Sequence, residues 1–216
     1  MTARARLVII GAGGFGREML WTAGDVPAEG RDWEVGGFID DDVDRARAEL
    51  ARLGFAVPVL GSVNDFRPAD GDRLTCAIGA PRAKLRVCEA LRARGGRFAD
   101  VVHPSAVVHA SARTGEGLVL RHFSGISVNC AVGDFVTVNS SAGLGHDAVV
   151  EDGCTLSAHA DVMGGARLER GALLGSHAAV LPGATVGAFA TVGAGTVVLR
   201  RVKPEATVFG VPAREL

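Results

Sequence analysis

His146 and Asp147 stand side by side in the run Gly143-Leu144-Gly145-His146-Asp147. An imidazole can take up a proton at neutral pH, and a carboxylate beside it can hold the ring in one tautomer and stabilise the imidazolium that forms. The pair therefore has the composition of a general base with its orienting acceptor. Eighteen residues further on lie Gly164 and Gly165. Glycine strips the side chain from the backbone, so a long flexible ligand such as a thioester-bearing arm can run close against it. Among the other histidines of this half of the chain are His122, His159 and His177. None has a carboxylate next to it. The successive spacings of 24, 13 and 18 residues bring no two of the four close in sequence. Bound zinc needs about three ligands converging at about 2.1 Å, so no metal is expected.

A second constellation opens the chain. Leu7-Val8-Ile9-Ile10 reads as a short buried strand and is followed by Gly11-Ala12-Gly13-Gly14-Phe15-Gly16-Arg17-Glu18. A second strand, Val35 to Ile39, ends in Asp40-Asp41. A glycine loop between strand and helix can cradle a phosphate on backbone N–H groups, and an acidic residue at the end of the next strand can reach a ribose hydroxyl. The same pattern is the dinucleotide fingerprint, but about a hundred residues leave room for only one of the two mononucleotide-binding halves. A glycine turn that binds nothing is the remaining reading.

The elements that must carry these residues follow two grammars. Up to about residue 100, strands alternate with helices, among them Asp44 to Leu53, a strand Leu74 to Ile78 and a helix Pro81 to Arg94, which implies a small parallel sheet flanked by helices. From Val102 the period becomes six. Stepping by six from Val108 to Val198, fifteen of sixteen positions are Val, Leu or Ile, the exception being Thr114. Four residues after each anchor comes a smaller residue, alanine in nine of fifteen cases. Glycine often follows the anchor directly, as at Gly133, Gly145, Gly175, Gly187 and Gly193, where it is expected to supply the positive φ of a tight corner. A helix wants a 3.6-residue period and a hairpin stack varies its turns, so the pattern specifies a parallel β-helix. Expected divisions are 1–101, 102–200 and a tail 201–216.

Composition narrows the partners. The 216 residues are 48% apolar with 30 glycines, 5% aromatics, no tyrosine and a formal net charge of −1. Nothing in that balance suggests capture of nucleic acid or of an anionic membrane, and no apolar run is long enough to span a bilayer. A cytoplasmic protein is expected, with Cys76, Cys88, Cys130 and Cys154 as buried thiols. Between 108 and 198 there are only four Arg and seven Asp or Glu. Such bare flanks suggest burial against other copies in a closed cyclic oligomer.

The hexad run resembles the left-handed β-helix of the hexapeptide acyltransferase superfamily, which implies three hexads per coil and about five coils. The whole chain resembles the NeuD/PglD family of sugar acyltransferases through the glycine loop, Gly37-Phe38-Ile39-Asp40-Asp41, the junction Val102-His103-Pro104-Ser105-Ala106, the His146-Asp147 pair and the tail Val208-Phe209-Gly210-Val211-Pro212-Ala213. The resemblance implies an α/β N-terminal Rossmann-like half-domain followed by a left-handed parallel β-helix, assembled as a homotrimer with sites between neighbouring prisms. It implies acetyl-CoA as co-substrate and a sugar nucleotide or sugar as acceptor. It assigns His146 as general base with Asp147 as its partner, and Gly164, Gly165, Gly175 and Ser176 to the acetyl-CoA channel. Gly11, Gly13, Gly14, Phe15, Asp40 and Asp41 go to the sugar-nucleotide pocket, although relatives acting on nucleotide-linked amino sugars commonly carry histidine where this chain has Phe15. N-acetylation of such a sugar leads. O-acetylation of a sugar of the sialic-acid type, a β-helical zinc hydratase and a non-catalytic trimeric sensor are the alternatives.

Overall fold

The computed structural model describes residues 4–216. Its N-terminal part is a four-stranded parallel sheet built from β1 (Ala5–Ile10), β2 (Trp33–Ile39), β3 (Val59–Gly61) and β4 (Asp72–Cys76), in the order β3-β2-β1-β4. Helices α1 (Gly14–Asp25), α2 (Val43–Arg52) and α3 (Pro81–Ala93) connect and flank it. Strand β1 is central and wholly apolar over Leu7 to Ile10, all of them 0% exposed, as a strand covered on both faces requires. The short β3 is not foreshadowed by any sequence pattern, because three residues are too few to show a period. Four parallel strands match in size one half of a doubly wound fold, not two.

The chain then winds into a left-handed parallel β-helix. Nineteen short strands, from β5 (Val101–Val102) to Thr207–Phe209, stack in three parallel sheets, and Arg214–Glu215 closes one of them antiparallel. Partners stand eighteen residues apart, as in Ala131↔Val149, Thr137↔Thr155 and Gly143↔Asp161. In the last coil the offset falls to sixteen, at Thr185↔Arg201 and Thr191↔Thr207, because the corner after Val198 is two residues shorter. The ladders thus run past the anchor series, through Arg201–Val202 and Thr207–Phe209. Anchors and small residues fill the interior as one continuous apolar column from Leu118 to Val208. Cys130 and Cys154 sit in that column at 0% exposure, and burial pushes the Cys154 thiol up to about 12. Val108 and Thr114 lie outside it, exposed at the open first coil.

The corners differ from expectation. Gly133, Gly145, Gly175, Gly187 and Gly193 do not adopt positive φ; the left-handed position comes two residues later, at Phe123, Asn129, Phe135, Ser141, Asp147, His159, His177 and Phe189 among others. The glycine after the anchor is needed for space. A Cβ on Gly145 would lie 2.8 Å from the Gly164 nitrogen, and one on Gly175 would lie 2.6 Å from the Ala194 nitrogen, so each coil's corner passes beneath the next with no room for a side chain.

The N-terminal part docks on the sheet that contains β5. Outward-facing Val119, Thr137 and Thr155 of that sheet are 1–4% exposed. Helix α3 seats Leu85 against Gly153, where a Cβ would come within 2.4 Å of the leucine. Beside it Lys84, 0% exposed, donates from Nζ to Thr155 Oγ1 (2.8 Å), Thr137 Oγ1 (3.0 Å) and the Cys154 carbonyl (3.0 Å). Burial depresses its pKa from 10.5 to about 8. A lysine whose pKa is lower folded than unfolded leaves the unfolded state holding more protons between those values, so stability rises with pH across that window and is lost as pH falls through about 8. The full difference is about 3 kcal/mol. Urea titrations at pH 7.5 and 10 are expected to show the wild type gaining on Lys84→Met over that interval; parallel curves would remove the buried-charge account.

Candidate active site

The three prism faces set the geography. One face, outward residues Val119, Thr137, Thr155 and Leu173, is covered by the N-terminal part. The next along the chain carries Val107, Gly125, Gly143, Asp161, Ala179 and Val197 at the outward positions, and the third carries Arg113, Ala131, Val149, Arg167 and Thr185. His146 and Asp147 lie on the corner between the second and third faces, directly after the strand Gly143–Leu144. Both side chains are exposed, 67% and 57%.

Local backbone geometry sets their orientation. Asp147 takes the left-handed position (φ 59°), held by its N–H to the Val128 carbonyl at 2.9 Å. Asp and Asn tolerate that conformation better than most residues, and Asn129 occupies the same corner one coil earlier. The carboxylate accepts from Asn129 Nδ2 through Oδ1 (3.2 Å) and faces His146 Nδ1 through Oδ2 (2.8 Å). These two hydrogen bonds, the His146 one first, hold Asp147 below the usual carboxylate range. An ionised carboxylate can only accept, so Nδ1 carries the proton and Nε2 presents its lone pair.

That lone pair looks toward bare backbone. A Cβ built on Gly164 would lie 2.5 Å from both Nε2 and Cε1 of His146, so the glycine one coil later is what gives the imidazole its place. Gly165 takes the left-handed corner (φ 66°), with its N–H bonded to the His146 carbonyl at 2.8 Å, and its α-carbon faces open space. Beside this corner a groove of about 430 Å³ runs down the second face over Gly125, Gly143 and Gly145, edged by His109, Ser127 and Asp161. The stacked glycines make it shallow and apolar.

Gly175 and Ser176 are placed elsewhere. They follow the strand Leu173–Leu174 of the covered face, on the corner between the first and second faces, so in one chain the width of the second face separates them from His146. Their neighbours on that corner are His159 and His177, which stack as their eighteen-residue spacing predicts, ring centroids 4.7 Å apart and planes within 5°. Among the described residues, none of His146, His159 and His177 belongs to a three-ligand cluster that could hold a metal ion.

The glycine loop is shaped by close approach. Gly11 has φ 96°, and a Cβ on Gly16 would stand 2.0 Å from the Gly11 carbonyl oxygen, so helix and loop fit only with glycine there. Gly13 precedes α1 without a side-chain cap and, like Gly14, meets little, leaving the helix N-terminus bare. Asp40 accepts the Ala12 N–H at Oδ2 (2.8 Å) and the Asp42 N–H at Oδ1 (3.0 Å), so it braces the loop. Asp41 is exposed, with Asn64 Nδ2 3.3 Å from Oδ1. Phe15 is half-buried in the N-terminal core.

Arg121 is the residue that spacing alone does not reveal. Only 7% exposed, it donates to Glu18 on α1 (2.7 Å) and lies 6.0 Å from the Phe15 ring, tying the loop helix to the prism. Helix α1 runs against the climb of the coils: its end reaches His103 and His122 through Asp25, and Glu18 reaches Arg121. Its N-terminus therefore points toward the later coils, along the corner that carries His159 and His177.

Residues 6–91 match the PglD N-terminal domain family. Over nearly its whole length the chain is similar to several solved structures. A mutant of perosamine N-acetyltransferase from Caulobacter crescentus, in complex with CoA and GDP-perosamine, is 33% identical with a TM-score of 0.86, the match covering 97% of this chain and 96% of that one. The acetyltransferase domain of PglB from Neisseria gonorrhoeae is 27% identical (TM-score 0.85, 99% and 100% covered). WeeI from Acinetobacter baumannii is 28% identical (TM-score 0.79, 97% and 99% covered). No curated protein sequence matches the chain.

Proposed function

Because the chain belongs to the NeuD/PglD family of sugar acyltransferases, we propose that it transfers the acetyl group of acetyl-CoA to the amino group of a nucleotide-linked amino sugar. The observation that carries this reading is the His146 ring, set by Asp147 with Nε2 aimed along the side-chain-free backbone of Gly164. A thioester laid along Gly164 and Gly165 brings its carbonyl beside that nitrogen. The amine attacks the carbonyl carbon, its proton passes to Nε2, the C–S bond breaks, and the CoA thiolate leaves with that proton. No covalent enzyme intermediate is needed, and Asp147 stabilises the imidazolium without taking the proton. The glycine loop holds the nucleotide phosphates on backbone N–H groups at the start of α1, with Asp41 toward the ribose.

The active assembly in this reading is a homotrimer. In a single chain, His146 sits on the corner farthest from the docked N-terminal part, whereas Gly175, Ser176 and the loop helix α1 share another corner. The face between these corners is small and nearly uncharged, with Asp161 its one outward acid. Packing that face against a neighbour in a closed ring sets the base of one chain beside the nucleotide loop of the next. The protein would act in the cytoplasm, where acetyl-CoA and nucleotide sugars are found. No helix among the described residues is long and apolar enough to cross a membrane.

The test is thiol release from acetyl-CoA with a panel of UDP-, GDP-, dTDP- and CMP-linked 4-amino sugars, alongside light scattering. Release with at least one amino sugar and a trimeric mass are expected. Turnover of hydroxyl acceptors only would replace N- by O-acetylation, and an active monomer at micromolar concentration would sink the shared site.

A further inference from the structure

A cluster that takes no part in acetyl transfer lies where α1 ends against the first coils. Asp25, His103 and His122 place one ligand atom each within 4.8 Å of the others. Asp25 Oδ2 stands 3.4 Å from His103 Nε2 and 3.5 Å from His122 Nε2. Both distances are long for hydrogen bonds, which centre near 2.9 Å. They match the edge of a tetrahedron around zinc, since bonds of 2.0–2.1 Å at the tetrahedral angle separate neighbouring ligand atoms by about 3.3 Å.

The surroundings point the same way. Both ring nitrogens of His122 are buried without a hydrogen-bond partner, an arrangement that leaves donor and acceptor capacity unused. His103 is oriented from behind by Ser105, with Oγ at 2.7 Å and the backbone nitrogen at 3.0 Å from Nδ1. The Ser105 N–H donates to Nδ1, so without metal the ring proton sits on Nε2; a metal at Nε2 takes the other tautomer, in which Nδ1–H donates to Ser105 Oγ and the bond from the Ser105 N–H is given up. The two imidazoles lie face to face, centroids 3.8 Å apart and tilted by 34°. Trp21 covers the outer face of the pair at 4.1 Å from His122. Asp25 is 41% exposed, so an ion and a water ligand have access from solvent.

We propose that Asp25, His103 and His122 form a two-histidine, one-carboxylate site for a divalent transition-metal ion, zinc foremost, which fastens the end of helix α1 to the start of the β-helix. The ion's role is structural. It holds α1, and with it the glycine loop at the other end of the same helix, in fixed relation to the prism. Nothing in acetyl transfer is routed through it.

The test uses the full-length protein, stripped with chelator and titrated with zinc under equilibrium dialysis, with Trp21 fluorescence as a local reporter. One equivalent is expected to bind per chain, with a change in tryptophan emission and a rise in melting temperature. Cobalt in place of zinc should give the intense visible absorption of a four-coordinate site. Asp25→Asn, which is isosteric and partly exposed, and His122→Gln should each weaken binding at least about tenfold. His159→Ala/His177→Ala, which removes the other histidine pair, should leave it unchanged. Absence of stoichiometric binding at micromolar zinc would overturn the proposal, as would binding that survives both Asp25→Asn and His122→Gln. Either result leaves the acetyltransferase reading intact, because that rests on the corner at His146.

Discussion

Replacing His146 by alanine is expected to lower kcat by about 10²–10⁴-fold, the range general-base catalysis supplies, with acetyl-CoA affinity little changed. The separation of the two effects follows from the structure. His146 is exposed at a corner and carries no packing, so its loss costs the fold little, and the cofactor path beside it is backbone. Asp147→Asn should lose less, since the amide keeps the shape of the carboxylate while surrendering its charge. Because an amide can turn its NH₂ as well as its oxygen toward Nδ1, a share of the variant molecules holds the ring in the tautomer that carries the proton on Nε2 and cannot act as base. Steady-state kinetics with a competent amino-sugar nucleotide would decide the matter. A His146→Ala enzyme that keeps more than about a third of wild-type kcat would contradict a base role.

The second large effect is expected from a residue with no chemistry of its own. A methyl group on Gly164 would occupy space 2.5 Å from His146 Nε2, so in Gly164→Ala the ring must swing away and its 2.8 Å contact with Asp147 must lengthen or break. Displacing a catalytic group by about 1 Å costs on the order of 10²-fold, and kcat of Gly164→Ala is expected to fall by about 10–100-fold. The imidazole is free to move into solvent, so the melting temperature should stay within about 2 °C of wild type. Gly165→Ala is the informative comparison. Its Cβ would meet nothing, but the left-handed φ of 66° carries strain, so this variant should lose stability in preference to kcat. An unaltered kcat in Gly164→Ala would remove the argument that this glycine makes room for the base.

Much of the architecture is legible in the amino-acid sequence. The hexad anchors specify a parallel β-helix because a period of six with an aliphatic residue at each repeat sends one large and one small side chain inward per side, and the resemblance to hexapeptide acyltransferases implies three sides to a coil. Ladder partners accordingly stand eighteen residues apart, and His159 falls over His177. The strands and helices of the N-terminal part are readable from Leu7–Ile10, Val35–Ile39 and the amphipathic helices, within a few residues at each end. The His146-Asp147 pair draws attention because a carboxylate adjoins the ring, and Gly164 because it stands one coil above.

Tertiary structure decided the rest. The corner glycines, expected to supply positive φ, instead make room for the coil above, because clearance between coils depends on stacking that no local pattern encodes. The left-handed positions are occupied by Asp147, His159 and His177 among others, with His146 one residue before Asp147, so the corners present these side chains outward. Lys84 reads as an ordinary charge on an amphipathic helix, and only docking of α3 on the prism buries it against Thr137 and Thr155. Arg121 meets Glu18, and His103 and His122 meet Asp25, because α1 lies along one corner, contacts between residues up to 103 positions apart. A repeat dictates its own interior because each residue's neighbours are a fixed number of positions away. What lies against the outside of that repeat has no fixed spacing, and only the folded chain determines it.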